Sequence, residues 1–340
     1  MEGDRAGVQG DRGVNGRPLR ILVSQHAAGG LRAPVAQVLG AQAHVLCTLE
    51  DGVDPDIAFV TRDVTGLSTK HRVLPDTQRF YDAMANAPSL RWVHIHSAGA
   101  DRPIYVQLRE RGVQVTTSTG ANAMVVAHTA LAGVLALARC FPQLLAAQRE
   151  RRWASLMGDR LPRDLQGQHA VIVGWGPIAQ HLARMLEAVG LRLTIVRQQD
   201  RPAGSYATVP AARWQDVLPT ADWLVLACPL NAQTEGMLDA ATLARLPAHA
   251  QLVNVARGEI VDQAALVAAL QQGRLGGAFL DVFAHEPLAA DSPLWSLPNV
   301  IATPHSAGLS DGNGARQAGM FLDNLRRWQA GEPLLHVAQD

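Results

Sequence analysis

The sequence predicts an α/β fold built from two parallel-sheet domains, the second of them doubly wound. Three observations predict it. Short apolar runs alternate with helical periodicity from Leu19 to Pro304. A chain of 340 residues has room for about two domains, each with its own core. A glycine-punctuated turn stands mid-chain, in His169–Gln180 (HAVIVGWGPIAQ), between a strand-like run and a helical pattern.

In the first domain Leu19–Ser24, Ala43–Thr48, Asp56–Thr61, Leu90–His96 and Val113–Thr117 read as five strands, with helices at Leu31–Leu39, around Thr77–Ala85 and at Ile104–Arg111. The expectation is a flavodoxin-like unit over residues 19–120, rejoined by residues 306–340. Residues 1–18 are rich in Gly, Asp and Arg and read as a disordered leader, with no secretory signal or anchor. Met124–Cys140 is an apolar run carrying His128 and Arg139. It is too short for a membrane span and reads as a buried helix. The polar stretch Arg149–Gln168 alternates with no clean period.

Residues 121–305 form the second domain. Ala170–Val173 is strand-like, and Ile178, Leu182, Met185, Leu186 and Val189 recur at helical spacing. The turn joining them reads G-x-G-x-x-A through Gly174, Gly176 and Ala179, with Trp175, Pro177 and Ile178 between. Such a turn needs its first glycine for tightness and its second for backbone approach to a pyrophosphate. A small third residue allows close helix–strand packing, and the helix N-terminus offers amides to phosphate. A dinucleotide is the implied ligand and a Rossmann-type domain the implied fold. Further strands follow at Arg192–Arg197, Trp223–Cys228, Gln251–Ala256, Gly277–Val282 and Val300–Pro304, with a helix at Gln263–Gln271. Counted in that order as strands one to six, the order 3-2-1-4-5-6 is expected.

Composition excludes several classes. Lys+Arg and Asp+Glu balance at 30 each, so no basic surface for nucleic acid is indicated. Cys47, Cys140 and Cys228 are far apart with no paired spacing, which suggests a reducing, cytoplasmic compartment.

Ligands in doubly wound sheets bind beyond the carboxyl ends of the strands. Arg257 follows the fourth strand, Glu286 the fifth and His305 the sixth. An arginine can hold a carboxylate bidentately and polarise a carbonyl. A histidine can exchange a proton with a hydroxyl or carbonyl oxygen, and a carboxylate beside it would orient the ring and favour its protonated form. Each of the three alone could be an ordinary solvated residue; together at adjacent strand ends they point to carbonyl reduction. His94 and His96 alternate on one strand without a third ligand, so a structural role is expected and no metal. His128 reads either as a buried core histidine or as a group supporting the site. Trp153 and Trp295 read as pocket walls or simply as buried aromatics.

From about residue 55 to 330 the sequence resembles the D-isomer-specific 2-hydroxyacid dehydrogenases. The resemblance is carried by Trp92–Asp101 (WVHIHSAGAD), the GWGPIA turn and Ala221–Leu238 (ADWLVLACPLNAQTEGML). It continues through Asn254–Asp262 (NVARGEIVD), Asp281–Leu288 (DVFAHEPL) and Thr303–Gly308 (TPHSAG). It implies that Arg257 binds the substrate carboxylate and carbonyl, that His305 is the general acid/base and that Glu286 is its partner. It implies substrate contacts from the amides of Ala98, Gly99 and Ala100. It further implies cofactor contacts from Cys228, Pro229, Thr234, Val255, Ala256, His305 and Asp281, the last on the nicotinamide carboxamide. It also implies a homodimer through the helix from Ala123. NAD-preferring members carry an acidic residue at the end of the second strand, where this chain has Arg197, with Gln198, Gln199 and Arg201 beyond. Arginine favours a 2′-phosphate, so NADP(H) is expected, with NAD(H) possible. The expected substrate is a small 2-oxo acid such as glyoxylate or hydroxypyruvate, with no nucleic-acid or membrane partner. The rival reading within the fold is an NAD(H)-sensing corepressor-like binding protein.

Overall fold

The computed structural model describes residues 17–52, 54–158, 161–198 and 201–338. Residues 1–16 of the expected leader, and Gln199 of the cofactor loop, lie outside them. The chain divides into two compact units, residues 1–121 with 311–340 and residues 122–310.

The first unit is a parallel sheet of β1 (Leu19–Leu22), β2 (His44–Cys47), β3 (Ile57–Val60), β4 (Trp92–Ile95) and β5 (Gln114–Thr117), in the order β2-β1-β3-β4-β5. Its helices are α1 (Gln25–Leu39), α2 (Arg62–Thr65), α3 (Pro75–Ala85) and α4 (Pro103–Glu110), with a C-terminal helix Asn313–Ala330. β3 and β4 are buried along their whole length, as strands covered on both faces must be. α1 starts six residues before the helix expected from periodicity. Ser24 caps it by accepting the Ala27 amide, and Gly29 and Gly30 interrupt the apolar pattern that would have shown its first turns. Phe321 and Leu325 of the C-terminal helix close the core against Ile21, Phe59 and Trp92.

The second unit begins with α5 (Ala123–Ala138) and α6 (Phe141–Arg149), the latter not evident from sequence. α5 buries Val126, Ala127, Ala130 and Val134 in the same core as Ala179, Leu182, Ala183 and Leu186. Among the described residues no single helix is long and apolar enough to cross a membrane. The sheet comprises β6 (His169–Val173), β7 (Arg192–Arg197), β8 (Ala207–Pro210), β9 (Trp223–Leu226), β10 (Gln251–Asn254), β11 (Gly277–Leu280) and β12 (Val300–Ala302). The helices α7 (Pro177–Ala188), α8 (Ala240–Leu243) and α9 (Gln263–Gln271) connect them.

All strands are parallel, in the order β12-β11-β10-β9-β6-β7-β8. This corrects the strand count. β8 was not read from sequence, because it is a half-exposed edge strand ending in proline. The strand at Trp223 is therefore the fourth, not the third. It lies beside β6 on the side away from β7, and with β8 counted the doubly wound order is 3-2-1-4-5-6-7. The register aligns the last residues of the strands, since Val173 pairs with Leu226, Leu226 with Asn254, Asn254 with Leu280 and Leu280 with Ala302. That row is the edge from which the site is built.

Candidate active site

In the second unit, each candidate residue stands a short distance beyond that row. Gly174 comes one residue after β6, at φ +105°, where an ideal Cβ would lie 2.6 Å from the Ala227 carbonyl. Only glycine fits so close a crossing of two strand ends. Gly176 caps α7, has nothing within 4 Å of where a Cβ would stand, and is followed by Pro177 at the first helical position. The open first turn of this helix fits the pyrophosphate of a dinucleotide. Ala179 is fully buried, and Trp175 meets Tyr206 edge-on at 5.7 Å. Ile178 packs on the same core as Ala179.

Around the turn, Cys228, Val255 and Ala256 are buried. Burial raises the Cys228 thiol to about 11, so it is no nucleophile at neutral pH. Thr234 closes the loop after β9 by donating to the Pro229 carbonyl at 2.8 Å and accepting the Asn231 amide at 2.9 Å. Arg197 ends β7, and its guanidinium donates to the carbonyls of Arg201 and Pro202 at 3.2 and 2.9 Å, drawing that loop together. Arg201 is exposed.

Arg257 follows β10 by three residues in extended conformation. Its turn is set by the buried Asn254, which accepts the Ala256 amide (3.1 Å) and donates to the Arg257 carbonyl (3.0 Å). The next residue, Gly258, lies so near the Phe283 backbone that a Cβ would come within 1.8 Å of its carbonyl carbon. That approach joins the arginine turn to the loop after β11, where Glu286 resides.

One Glu286 oxygen accepts the Phe283 amide at 3.1 Å, and the other accepts from His305 Nδ1 at 2.8 Å. Burial pushes the Glu286 carboxyl up, but the bond and charge of His305, the Phe283 amide and the Arg257 guanidinium outweigh it. The net effect holds the group below its ordinary range, as a carboxylate. With Nδ1 engaged, Nε2 is the ring nitrogen left for chemistry, on a side chain half exposed. His305 itself sits at φ +49°. The structure thus brings a hydrogen-bonded His–carboxylate pair and an arginine to one edge of one sheet.

Asn254 and Thr129 take parts in this edge that residue type did not announce, and Asp281 takes one besides the cofactor contact implied by the resemblance. Asp281 accepts Thr303 Oγ1 and the amides of Ser306 and Ala307, while Thr129 on α5 donates to the Ala307 carbonyl at 3.0 Å. The signal available was slight: a polar residue ending an otherwise apolar strand, as in QLVN and GAFLD.

In the first unit, the loop after β4 carries Ala98, Gly99 and Ala100. The carbonyls of Ser97, Ala98 and Gly99 accept the Ser118 amide, Thr119 Oγ1 and Ser97 Oγ. The amides of residues 98–100 donate to no group among the described residues. His94 is buried between Thr116 Oγ1 (2.8 Å) and Ser118 Oγ (3.1 Å), and burial lowers it to about 3, so it is neutral. His96 contacts Thr65 Oγ1 at 2.9 Å. Both rings have structural partners. Trp153 is 98% and Trp295 49% exposed, so neither is a buried aromatic, and His128 is exposed, which removes its core-histidine alternative.

A family model described as the D-isomer-specific 2-hydroxyacid dehydrogenase, NAD-binding domain, matches residues 131–307. The (S)-sulfolactate dehydrogenase of Chromohalobacter salexigens is 36% identical over 253 residues, 72% of this chain and 80% of the relative. The chain belongs to the D-isomer-specific 2-hydroxyacid dehydrogenase family. It is accordingly an NAD(P)-dependent oxidoreductase. Solved structures of family members agree in fold over nearly the whole chain. One from Xanthobacter autotrophicus, in complex with NADPH and MES, is 27% identical with a TM-score of 0.73, covering 95% of this chain and 98% of that one. The NADPH-dependent glyoxylate/hydroxypyruvate reductase of Sinorhizobium meliloti, with NADP and sulfate, is 25% identical with a TM-score of 0.72 and the same two coverages.

Proposed function

We propose that this dehydrogenase reduces a small 2-oxo acid to the D-2-hydroxy acid, with NADPH preferred over NADH and glyoxylate or hydroxypyruvate as substrate. The observation that carries the reading is the 2.8 Å contact of His305 Nδ1 with a Glu286 carboxylate that also feels the Arg257 charge. The bound nicotinamide supplies or accepts the hydride. Arg257 holds the substrate carboxylate and draws electron density from the carbonyl oxygen. His305 Nε2 gives its proton to that oxygen during reduction and takes it back during oxidation. Glu286 keeps the ring oriented and balances its charge. The three unengaged amides of Ala98, Gly99 and Ala100 are suited to a carboxylate, which supports a substrate role for that loop.

The arginines at the end of β7 support the NADP(H) preference, as do the dinucleotides bound in the two solved relatives. Arg197→Asp should reverse the ratio of NADPH to NADH turnover, and an unchanged ratio would remove this strand end from cofactor choice. For the substrate, turnover of glyoxylate, hydroxypyruvate and sulfopyruvate should be compared, the last because one relative is an (S)-sulfolactate dehydrogenase. Chiral chromatography of the glycerate formed from hydroxypyruvate tests D-specificity, since the glycolate formed from glyoxylate is achiral. Oxidation of neither cofactor with any 2-oxo acid, by folded protein, would defeat the proposed reaction.

We also propose a cytoplasmic homodimer. The exposed apolar side chains of Phe141, Leu145, Trp153, Met157 and Leu161 cluster in sequence after α5 and support a covered surface there. Sedimentation of the wild type and of Trp153→Arg tests it, the variant being expected to shift toward monomer.

A further inference from the structure

Helix α5 is apolar along its length except at two adjacent residues, His128 and Thr129. His128 is exposed, whereas Thr129 is half-buried. A β-branched hydroxyl residue is a poor helix former and gains little in the middle of such a run. What it touches accounts for its place. Thr129 Oγ1 donates to the Ala307 carbonyl at 3.0 Å. The other acceptor in reach, the Val125 carbonyl at 3.1 Å, lies within the helix, where it already accepts a helix amide. The Ala307 carbonyl has no such alternative. Ala307 is 3% exposed, and among the described residues no backbone amide donates to its oxygen. A buried carbonyl without a donor costs about as much as a lost hydrogen bond, so its peptide would turn to find another.

That peptide belongs to the turn of the acid/base. It lies just beyond His305, whose backbone stands at φ +49°. A side chain holds such a conformation only when its surroundings over-determine it. The sheet side of the turn is held at the amides of Ser306 and Ala307. The other side is seated on α5. Ala307 shares a core with Val126, Ala127 and Ala130. A Cβ on Gly308 would stand 2.3 Å from the Asn122 side-chain nitrogen and 3.3 Å from Val126, so turn and helix touch directly. Apolar packing of this kind is non-directional, whereas a hydrogen bond fixes which way the peptide faces.

We infer that Thr129 is a positioning residue for His305, its hydroxyl fixing the Ala307 peptide and with it the turn that keeps the imidazole on Glu286. The inference rests on reading His305 as the acid/base. A residue acting in this way changes kcat and leaves dinucleotide binding alone, because the misplaced group is the acid and not the cofactor site.

The test uses the full chain with Thr129→Val, which keeps the shape and removes the hydroxyl, and Thr129→Ser, which keeps the hydroxyl. The NADPH dissociation constant is read by fluorescence, kcat with saturating glyoxylate, and the His305 imidazole by NMR, assigned through His305→Gln. In Thr129→Val we expect kcat to fall about five- to tenfold, short of the hundredfold that a full ångström of misplacement costs. The NADPH dissociation constant should stay within about twofold of wild type, and the His305 Nδ1–H resonance should shift. Thr129→Ser should bring both kcat and the resonance back near wild type. An unmoved His305 resonance in Thr129→Val would overturn the inference, whatever kcat does. So would a Thr129→Ser as slow as Thr129→Val, since the lost methyl packing and not the hydroxyl would then be at fault. If Thr129→Val does not fold, Thr129→Ala beside Thr129→Ser carries the same comparison. The NMR readout is independent of turnover: an inactive wild type whose imidazole shifts in Thr129→Val would defeat the proposed reaction and leave the positioning role standing.

Discussion

At each end of the second unit's sheet stands a histidine–carboxylate pair, the two of almost equal length. At the carboxyl edge His305 meets Glu286 at 2.8 Å; at the amino edge His249 meets Asp222 at 2.9 Å. Distance does not distinguish them. Their surroundings do. Asp222 precedes β9 and also accepts the His169 amide and the Arg163 guanidinium, at 2.8 and 2.7 Å. It binds the starts of two adjacent strands and a surface arginine. Glu286 lies in a loop beyond its strand, beside an arginine turn and a histidine in left-handed conformation. One carboxylate ties backbone together, and the other aims a side chain. A salt-bridge inventory would rank them alike, yet only the second stands where a ligand of this fold can reach.

The sharpest way to break the contrast is to remove each histidine. His305→Gln should lower kcat about 1000-fold, within the span typical of a lost general acid/base, while NADPH affinity stays near wild type. A loss below about tenfold would deny His305 that role. Glu286→Gln should cost less, about 10- to 100-fold in kcat, because an amide oxygen can still accept the Nδ1–H and orient the ring but carries no charge. It should also change the pH profile. Glu286 is held below its ordinary value, so its carboxylate form, and the stability it contributes, persist above about 4.5. Both are lost as pH falls through the lowered folded value. In the wild type an acid limb of kcat should therefore lie below pH 4.5, and in Glu286→Gln that limb should be absent.

What was legible in the sequence follows the same division. The positions of Arg257, Glu286 and His305 beyond their strands could be read because a parallel sheet converts chain position into edge position. β8 could not, because a half-exposed edge strand carries no apolar signature, and omitting it displaced the Trp223 strand by one place. Asp222 reads as an ordinary polar residue before a strand, and Asn254 and Asp281 as polar strand ends. Their work is to accept backbone amides and a hydroxyl, and residue type does not record which donors will arrive. The burial expected of Trp153 and Trp295 failed for a related reason. An aromatic residue signals burial, but not whether its own chain provides it.

At the amino edge the readout is stability. Asp222→Asn should leave kcat near wild type at moderate temperature but cost about 2 kcal/mol, since a charged acceptor of three bonds becomes a neutral one. Roughly 4–8 °C of melting temperature should go with it. The sign with pH can be checked. Burial pushes Asp222 up, but the His169 amide, Arg163 and His249 outweigh it and lower it below 3.8. Its contribution is then complete above the ordinary carboxylate value and lost as pH falls through the lowered one. The gap in melting temperature between wild type and variant should therefore close only in strong acid, and a gap that closed near neutrality would implicate another group.

The smallest effect sharpens the comparison most. His249 is half exposed and shares Asp222 with two stronger donors, Arg163 and the His169 amide. A pair in contact with solvent contributes little, because water screens it and ordering the side chain costs entropy. His249→Gln should therefore change stability by no more than about 0.5 kcal/mol and kcat not at all. The same substitution at His305 removes an equally short bond to a carboxylate, and its cost appears in rate. If calorimetry found His249→Gln as destabilising as Asp222→Asn, the amino-edge cluster would depend on its histidine, and the distinction between a carboxylate that ties backbone and one that aims a ring would fail. A small His249 effect beside a large Asp222 effect would locate the strength of that edge in the carboxylate and its backbone donor.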